Sequence, residues 1–329
     1  MSFLRTFGLI AWPNLVLLQG DLNNCLTLCL LSYEEPPSLR YFLPCISCFN
    51  WKSSVNNSPF FSRVSCAIAL GASLKQKFRL LFYMALKPSL VFRGLATLLN
   101  SRILSFSIYD PQRKPILVYV RDNGVGVTTI AEFFSPCSAI MPLTLPAFYP
   151  KVIYDLGANV GVSSLFFASL YPKASIYGFE PLPENLEVCL LNYRGIGNKS
   201  QVFPWAIGSK TGQATFDCKN DSRGGRLETA HHDPNLQTTS RIQVKIISVA
   251  DLIDQEGLPP PDFLKIDVEG AEFDVLEGIK GYAHSIRLIY LETHGEKLRS
   301  DCLVWLRNHK FQICQGADQT AIWAWRAFA

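Results

Sequence analysis

From Lys151 to Trp325 the chain alternates short β-rich runs with helical runs, and this alternation constrains its fold more than any other feature. KVIYDL (151–156), ASIYGFE (174–180), QVFPWAI (201–207), DFLKID (262–267) and RLIYLET (287–293) are strand-length and rich in β-branched and aromatic residues. Helix-length segments lie among them: Val160–Tyr171, stopped by Pro172; Pro183–Tyr193, with Pro183 suited to a first turn; Gly270–Ile279; and Glu296–His309. Strands that alternate with helices lie parallel, because each crossover carries a helix across the sheet, and the helices cover both faces. KFQIC (310–314) and AIWAW (321–325) are too close together for a crossover, so one of them runs antiparallel. The expected class is α/β, with helices on both faces of a parallel sheet and a late antiparallel strand.

With 329 residues the chain has room for one large domain or two ordinary ones. The expected division gives residues 149–329 to the α/β domain and 74–148 to a helical and mixed extension packed on its core. Residues 1–73, with Pro36-Pro37, several cysteines and few charges, receive no fold and are expected to carry little order. Leu74–Asn100 is a basic amphipathic stretch that Pro88 should split into two helices. Packing on the domain is preferred for it over lying on an anionic membrane surface. Nine Lys/Arg face three Asp/Glu in the first hundred residues, against 22 and 24 in the rest. The later part therefore lacks the positive face of a nucleic-acid clamp. Cys45 and Cys48 have no histidine pair or well-spaced second cysteine pair to complete a zinc site, and Cys137, Cys189, Cys218, Cys302 and Cys314 read as small buried thiols. Neither an uncharged apolar run of about 18 residues nor a signal-type cleavage site is present, so a cytoplasmic location is expected. Ser209–Val249 is an insertion, polar and turn-rich in its first part, that returns as a strand at IQVKIIS (242–248) and is expected to cover a substrate site.

Ligands of an open α/β sheet sit beyond the carboxyl ends of its strands, so the strand-ending residues are the candidates. The first strand ends in DLGANVG, Asp155–Gly161. Gly157 and Gly161 allow a tight strand–helix turn and close ligand approach, and the helix start offers free N–H groups. Asp155 sets a carboxylate under the turn, which repels a pyrophosphate and suits an ammonium. A dinucleotide turn reads G-x-G-x-x-G, and here Asn159 stands in place of its second glycine. The amino-acid end of S-adenosylmethionine fits better. Glu180 ends the second strand 25 residues after Asp155, where an acid accepts both hydroxyls of a ribose. At the end of the third strand, Ala206 and its neighbours could flank an adenine, with core packing an equal reading for Trp205. FLKIDVEGAE puts Lys265, Asp267 and Glu269 at alternate positions, on one face if the strand continues. Charges so placed are paired or functional. The fifth strand ends in LETHG, with Glu292 and His294.

The ordered set DLGANVG, GFEPLPENLEVCLLN, AIGS, FLKIDVEGAEFDVLEG and YLETHG resembles the FkbM family of methyltransferases over about residues 116–314. The resemblance implies a seven-stranded, Rossmann-like methyltransferase sheet with one late antiparallel strand, and S-adenosylmethionine as cofactor. It implies that Asp155, Gly157, Asn159, Gly161 and Glu180 line the cofactor site and that Asp267 and Glu269 face the transfer site. It also implies methylation of a hydroxyl on a sugar, glycan or natural-product small molecule. It is silent on residues 1–100.

Methylating an alcohol calls for in-line alignment and a base. His294 has an ordinary pKa suited to that task, with Asp267 and Glu269 as rivals. A divalent metal on Asp267, Glu269 and Glu292 is another route to an alkoxide-like oxygen. Lys265 is expected to pair with one of the acids. His231 and His232 read as residues of a solvated loop, and Cys137 precedes the cofactor turn without the context of a nucleophile. Two readings from other classes stand beside this one: a nicotinamide-dependent oxidoreductase, and a non-catalytic membrane-associated binding protein.

Overall fold

The computed structural model describes residues 59–86, 102–122, 126–135, 148–197, 199–219, 225–227, 238–315 and 320–326. Helices α1 (Pro59–Leu70) and α2 (Leu74–Leu81) precede a hairpin of β1 (Ile103–Tyr109) and β2 (Pro115–Arg121) and then α3 (Gly126–Phe134). The alternating region follows as β3 (Val152–Leu156), α4 (Val162–Leu170), β4 (Ser175–Phe179), α5 (Pro183–Tyr193) and β5 (Gln201–Phe203). After it come β6 (Trp205–Gly208), β7 (Gly212–Lys219), β8 (Gly225–Leu227), β9 (Thr238–Ser248) and α6 (Val249–Asp254). The chain closes with β10 (Phe263–Ile266), α7 (Glu272–Ile279), β11 (Leu288–Glu292), α8 (Glu296–Asn308), β12 (Gln312–Gln315) and β13 (Ala321–Trp325).

Seven strands form one sheet in the order β12-β13-β11-β10-β3-β4-β5. Neighbours pair in parallel except β13, which inserts antiparallel between β11 and β12. Apolar side chains cover both faces. Ile153, Phe263, Leu288 and Tyr290 enter one core, while Tyr154, Leu156, Leu264, Ile266, Ile289 and Leu291 enter the other. Strands buried on both sides read as continuous hydrophobic runs, which is how these appear in the sequence. The first core also takes in Leu70, Leu80, Phe106, Ile108 and Ile130, so the described parts of residues 59–135 share it with the sheet. Phe133 meets Phe166 of α4 at 5.6 Å between ring centres, and Phe167 meets Phe263 edge-on at 4.9 Å.

Three expectations need revision. QVFPWAI is two strands, because Pro204 has no N–H to continue a ladder. β5 stays in the large sheet, while β6 leaves it to pair with β9. The insertion is not mainly a loop: β6, β9, β7 and β8 form a four-stranded sheet of their own. His231 and His232 lie outside the described residues, as do Cys137 and the proposed split at Pro88. Helix α2 runs into a π-helical turn at Phe82–Leu86. Among the described residues, no helix is long and apolar enough to cross a membrane. Cys189 and Cys302 are free, buried thiols, in keeping with their reading, while Cys314 is only half-buried.

Candidate active site

β3 and β10 are paired so that Lys265 lies directly beside Asp155, on the face that also carries Phe263 and Ile153. Both are deeply buried, at 3% and 0% exposure. The Lys265 Nζ lies 3.1 Å from Asp155 Oδ1 and 3.5 Å from Asp267 Oδ2, and donates to the Gly157 carbonyl at 2.6 Å. Asp155 Oδ2 accepts the hydroxyls of Ser163 at 2.6 Å and Ser164 at 2.5 Å, and Ser164 Oγ is 2.8 Å from the Tyr193 hydroxyl. Burial pulls the Lys265 pKa down, but Asp155 and then Asp267 outweigh it and hold the ammonium above its usual range. The Asp155 carboxylate thus faces inward: it holds the strand–helix turn from below and is not open to the crevice as the sequence suggested.

Above this network the turn takes left-handed backbone at Gly157 (φ 77°), Asn159 (φ 50°) and Gly161 (φ 80°). The space freed by the glycines is used by the protein itself. A Cβ on Gly157 would overlap the Asp267 carbonyl, and one on Gly161 would stand 3.0 Å from Cys189 Sγ. Glu180, 5% exposed, accepts the Asn159 N–H on Oε2 and the Leu182 N–H on Oε1, both at 2.9 Å. Burial pushes its carboxyl up to about 7 against the pull of those two N–H groups and of the Asn185 side chain. Oε1 also takes the Asn185 Nδ2–H at 3.5 Å, while Oε2, with the Asn159 N–H, has a second lone pair with which to accept a hydroxyl. Ala206 is buried with Leu182 and Ala271. Trp205 stacks on Phe203 at 4.7 Å and lies 4.0 Å under the Lys245 ammonium.

The third element is the end of β10. The strand stops at Ile266, and the chain turns at Glu269 (φ 56°) and Gly270 (φ 107°), so Lys265, Asp267 and Glu269 do not continue an alternating face. Instead Asp267, Glu269 and His294 converge, with one ligand-type atom from each within 4.8 Å of the others. Glu292, the third metal ligand expected from the sequence, is not in that group, and its Oε2 lies 3.4 Å from the Tyr290 hydroxyl. His294 Nδ1 lies 3.0 Å from Glu272 Oε1, and its Nε2 lies 3.9 Å from Asp267 Oδ1. Burial lowers the His294 pKa, but the hydrogen bond and charge of Glu272, then Asp267 and Glu269, outweigh it and push the pKa up to about 9. At neutral pH the imidazole therefore holds a proton, which corrects its reading as a ready base.

Sequence reasoning assigned no role to Ser163, Ser164, Asn192 or Glu272. Asn192 joins β2 to the turn: its Nδ2 donates to Val160 O at 2.6 Å and Tyr119 O at 2.8 Å, and its Oδ1 accepts the Tyr119 N–H. Glu272 is fully buried at the start of α7, where its Oε1 also accepts the Gly270 N–H at 2.9 Å. The available signals were a pair of serines one turn past an aspartate and an acid closing a strand–helix turn.

Residues 155–313 match the family model for the methyltransferase FkbM domain. The chain is 24% identical over 144 residues to the hexuronic acid methyltransferase AglP of Haloferax volcanii, covering 44% of this chain and 56% of that protein. It is 30% identical over 158 residues to the 2-O-methyltransferase NoeI of Sinorhizobium fredii, covering 45% and 65%. With the 31-O-demethyl-FK506 methyltransferase FkbM of Streptomyces tacrolimicus it shares 24% identity over 197 residues, covering 51% and 75%. The alignments thus span less than two thirds of the first two relatives.

Proposed function

We infer that this chain, whose residues 155–313 belong to the FkbM family of methyltransferases, uses S-adenosylmethionine to methylate a hydroxyl oxygen on a sugar or similar small molecule. The observation that carries the reading is Lys265, which ties the turn at Gly157 to Asp267 and so joins the turn read as holding the cofactor to the acids read as facing the acceptor. The donor set fits this cofactor. Glu180 offers a buried diol acceptor beside a left-handed turn, and its carboxylate beside that turn disfavours a pyrophosphate. The family match also supports methyl transfer over the nicotinamide-dependent alternative. Two relatives whose names specify a hexuronic acid and a 2-O position favour a sugar hydroxyl.

When bound, S-adenosylmethionine supplies an electrophilic methyl group on a sulfonium. The chain's part is to align the acceptor and take its proton. Asp267 and Glu269 stand at the edge where an acceptor oxygen enters, with Asp267 about one-third exposed. One of these carboxylates receives the hydroxyl proton, and the positive His294 beside them favours the alkoxide character that develops. Alignment of this kind can contribute roughly 7–11 kcal/mol.

Labelled S-adenosylmethionine incubated with the full chain and a panel of uronic acids, neutral sugars and phenols should mark a sugar. Asp267→Asn should leave binding of S-adenosylhomocysteine within about twofold and slow transfer by about a hundred to ten thousand fold. Unchanged turnover in that variant would remove Asp267 from the transfer site.

A further inference from the structure

Asp267 and Glu269 follow β10, and His294 follows β11, so the fold rather than local sequence brings them together. The two carboxylates repel each other, and the cations beside them are Lys265, 3.5 Å from Asp267, and the protonated His294, whose proton a metal ion would displace. His294 is oriented by a group outside the trio. Glu272 is 0% exposed, its Oε1 sits 3.0 Å from His294 Nδ1, and its Oε2 is buried without a hydrogen-bond partner. A carboxylate on one imidazole nitrogen fixes the ring, and a metal ion that displaces the proton of the other nitrogen can then use its lone pair, the arrangement found behind metal-bound histidines. Here that other nitrogen, Nε2, lies 3.9 Å from Asp267 Oδ1. Asp267 is divided in the same sense: Oδ2 lies 3.5 Å from Lys265 Nζ, leaving Oδ1 on the side of His294. Two metal–ligand bonds of about 2.1–2.2 Å span such a gap at an open angle.

We propose that Asp267 Oδ1, a Glu269 carboxylate oxygen and His294 Nε2 form a binding site for a divalent first-row transition-metal ion, with Glu272 as the positioning residue behind the histidine. The imidazole sets the class of ion. Calcium and magnesium favour all-oxygen shells, while manganese, iron, cobalt and zinc accept a mixed nitrogen and carboxylate set. Three protein ligands leave coordination positions open on the crevice side, where the acceptor oxygen can bind and acidify. For that use of the ion the inference rests on the methyl-transfer reading; for the binding itself it does not.

Mn2+ titrated into the full chain and followed by electron paramagnetic resonance should bind once per chain. Pulsed measurements should show coupling to one imidazole nitrogen. His294→Ala should remove that coupling and weaken binding at least about tenfold, and Glu272→Gln should weaken it by about 10–100-fold. Absence of stoichiometric Mn2+ in the unsubstituted chain, or nitrogen coupling that survives His294→Ala, would overturn the site. Calorimetry with S-adenosylhomocysteine on the same samples separates the two readings: binding of the nucleoside without Mn2+ defeats the metal site alone, and failure of the nucleoside to bind defeats the transfer reading.

Discussion

Replacing Lys265 with methionine should remove about 3–5 kcal/mol of folding stability, read as a fall in the denaturant midpoint. The lysine is 3% exposed and its Asp155 partner 0%, so no water replaces the lost ammonium. Asp155 would be left a buried carboxylate with two serine hydroxyls as its remaining partners among the contacts described above. Such a charge is far more costly unpaired than the original pair is stabilising. The double variant Asp155→Asn with Lys265→Met should recover part of the loss, because position 155 then carries no charge to leave unpaired. A midpoint shift worth less than about 1 kcal/mol in the single variant would mean that the pair is not buried as described.

Gly157→Ala should be nearly as damaging, at about 3 kcal/mol or more, and should also abolish binding of S-adenosylhomocysteine. Left-handed backbone by itself costs an alanine about 1–2 kcal/mol. The rest comes from the Asp267 carbonyl, which occupies the space the new methyl needs, so either the turn or the end of β10 must move. Gly257→Ala is the control: its φ is 70° and nothing lies within 4 Å of the added carbon, so strain alone applies. Equal midpoints for the two variants would refute the close approach of turn and strand end.

The strands and their order of appearance were legible because each is a short β-rich run bounded by Gly, Pro or a helical segment. The break in QVFPWAI was visible in Pro204 itself, but deciding that β6 leaves the sheet requires knowing that its partners in β9 come 40 residues later, Lys245 beside Trp205 and Ile246 beside Ala206. The strand-ending acids were legible for the same reason as the strands. Their partners were not. Lys265 and Asp155 stand 110 residues apart, and only the parallel register makes them neighbours. Gly157 looked like clearance for a ligand because sequence shows a missing side chain and not what fills the gap. Glu272 looked like an ordinary acid at a helix start, and its contact with His294 depends on the order β10-β11. That contact raises the histidine's pKa and turns an apparent base into a cation.

Calorimetric titration with S-adenosylhomocysteine between pH 6 and 8, with NAD run in parallel, tests the central claim most directly. Burial holds the free Glu180 carboxyl at about 7, and in the proposed complex a ribose diol would bind its ionised form. Affinity should therefore fall as the carboxyl takes up its proton, by about tenfold from pH 8 to pH 6, and Glu180→Ala should bind weakly with little pH dependence. NAD should give no heat. Heat from NAD, or none from S-adenosylhomocysteine, would contradict the assignment of this crevice.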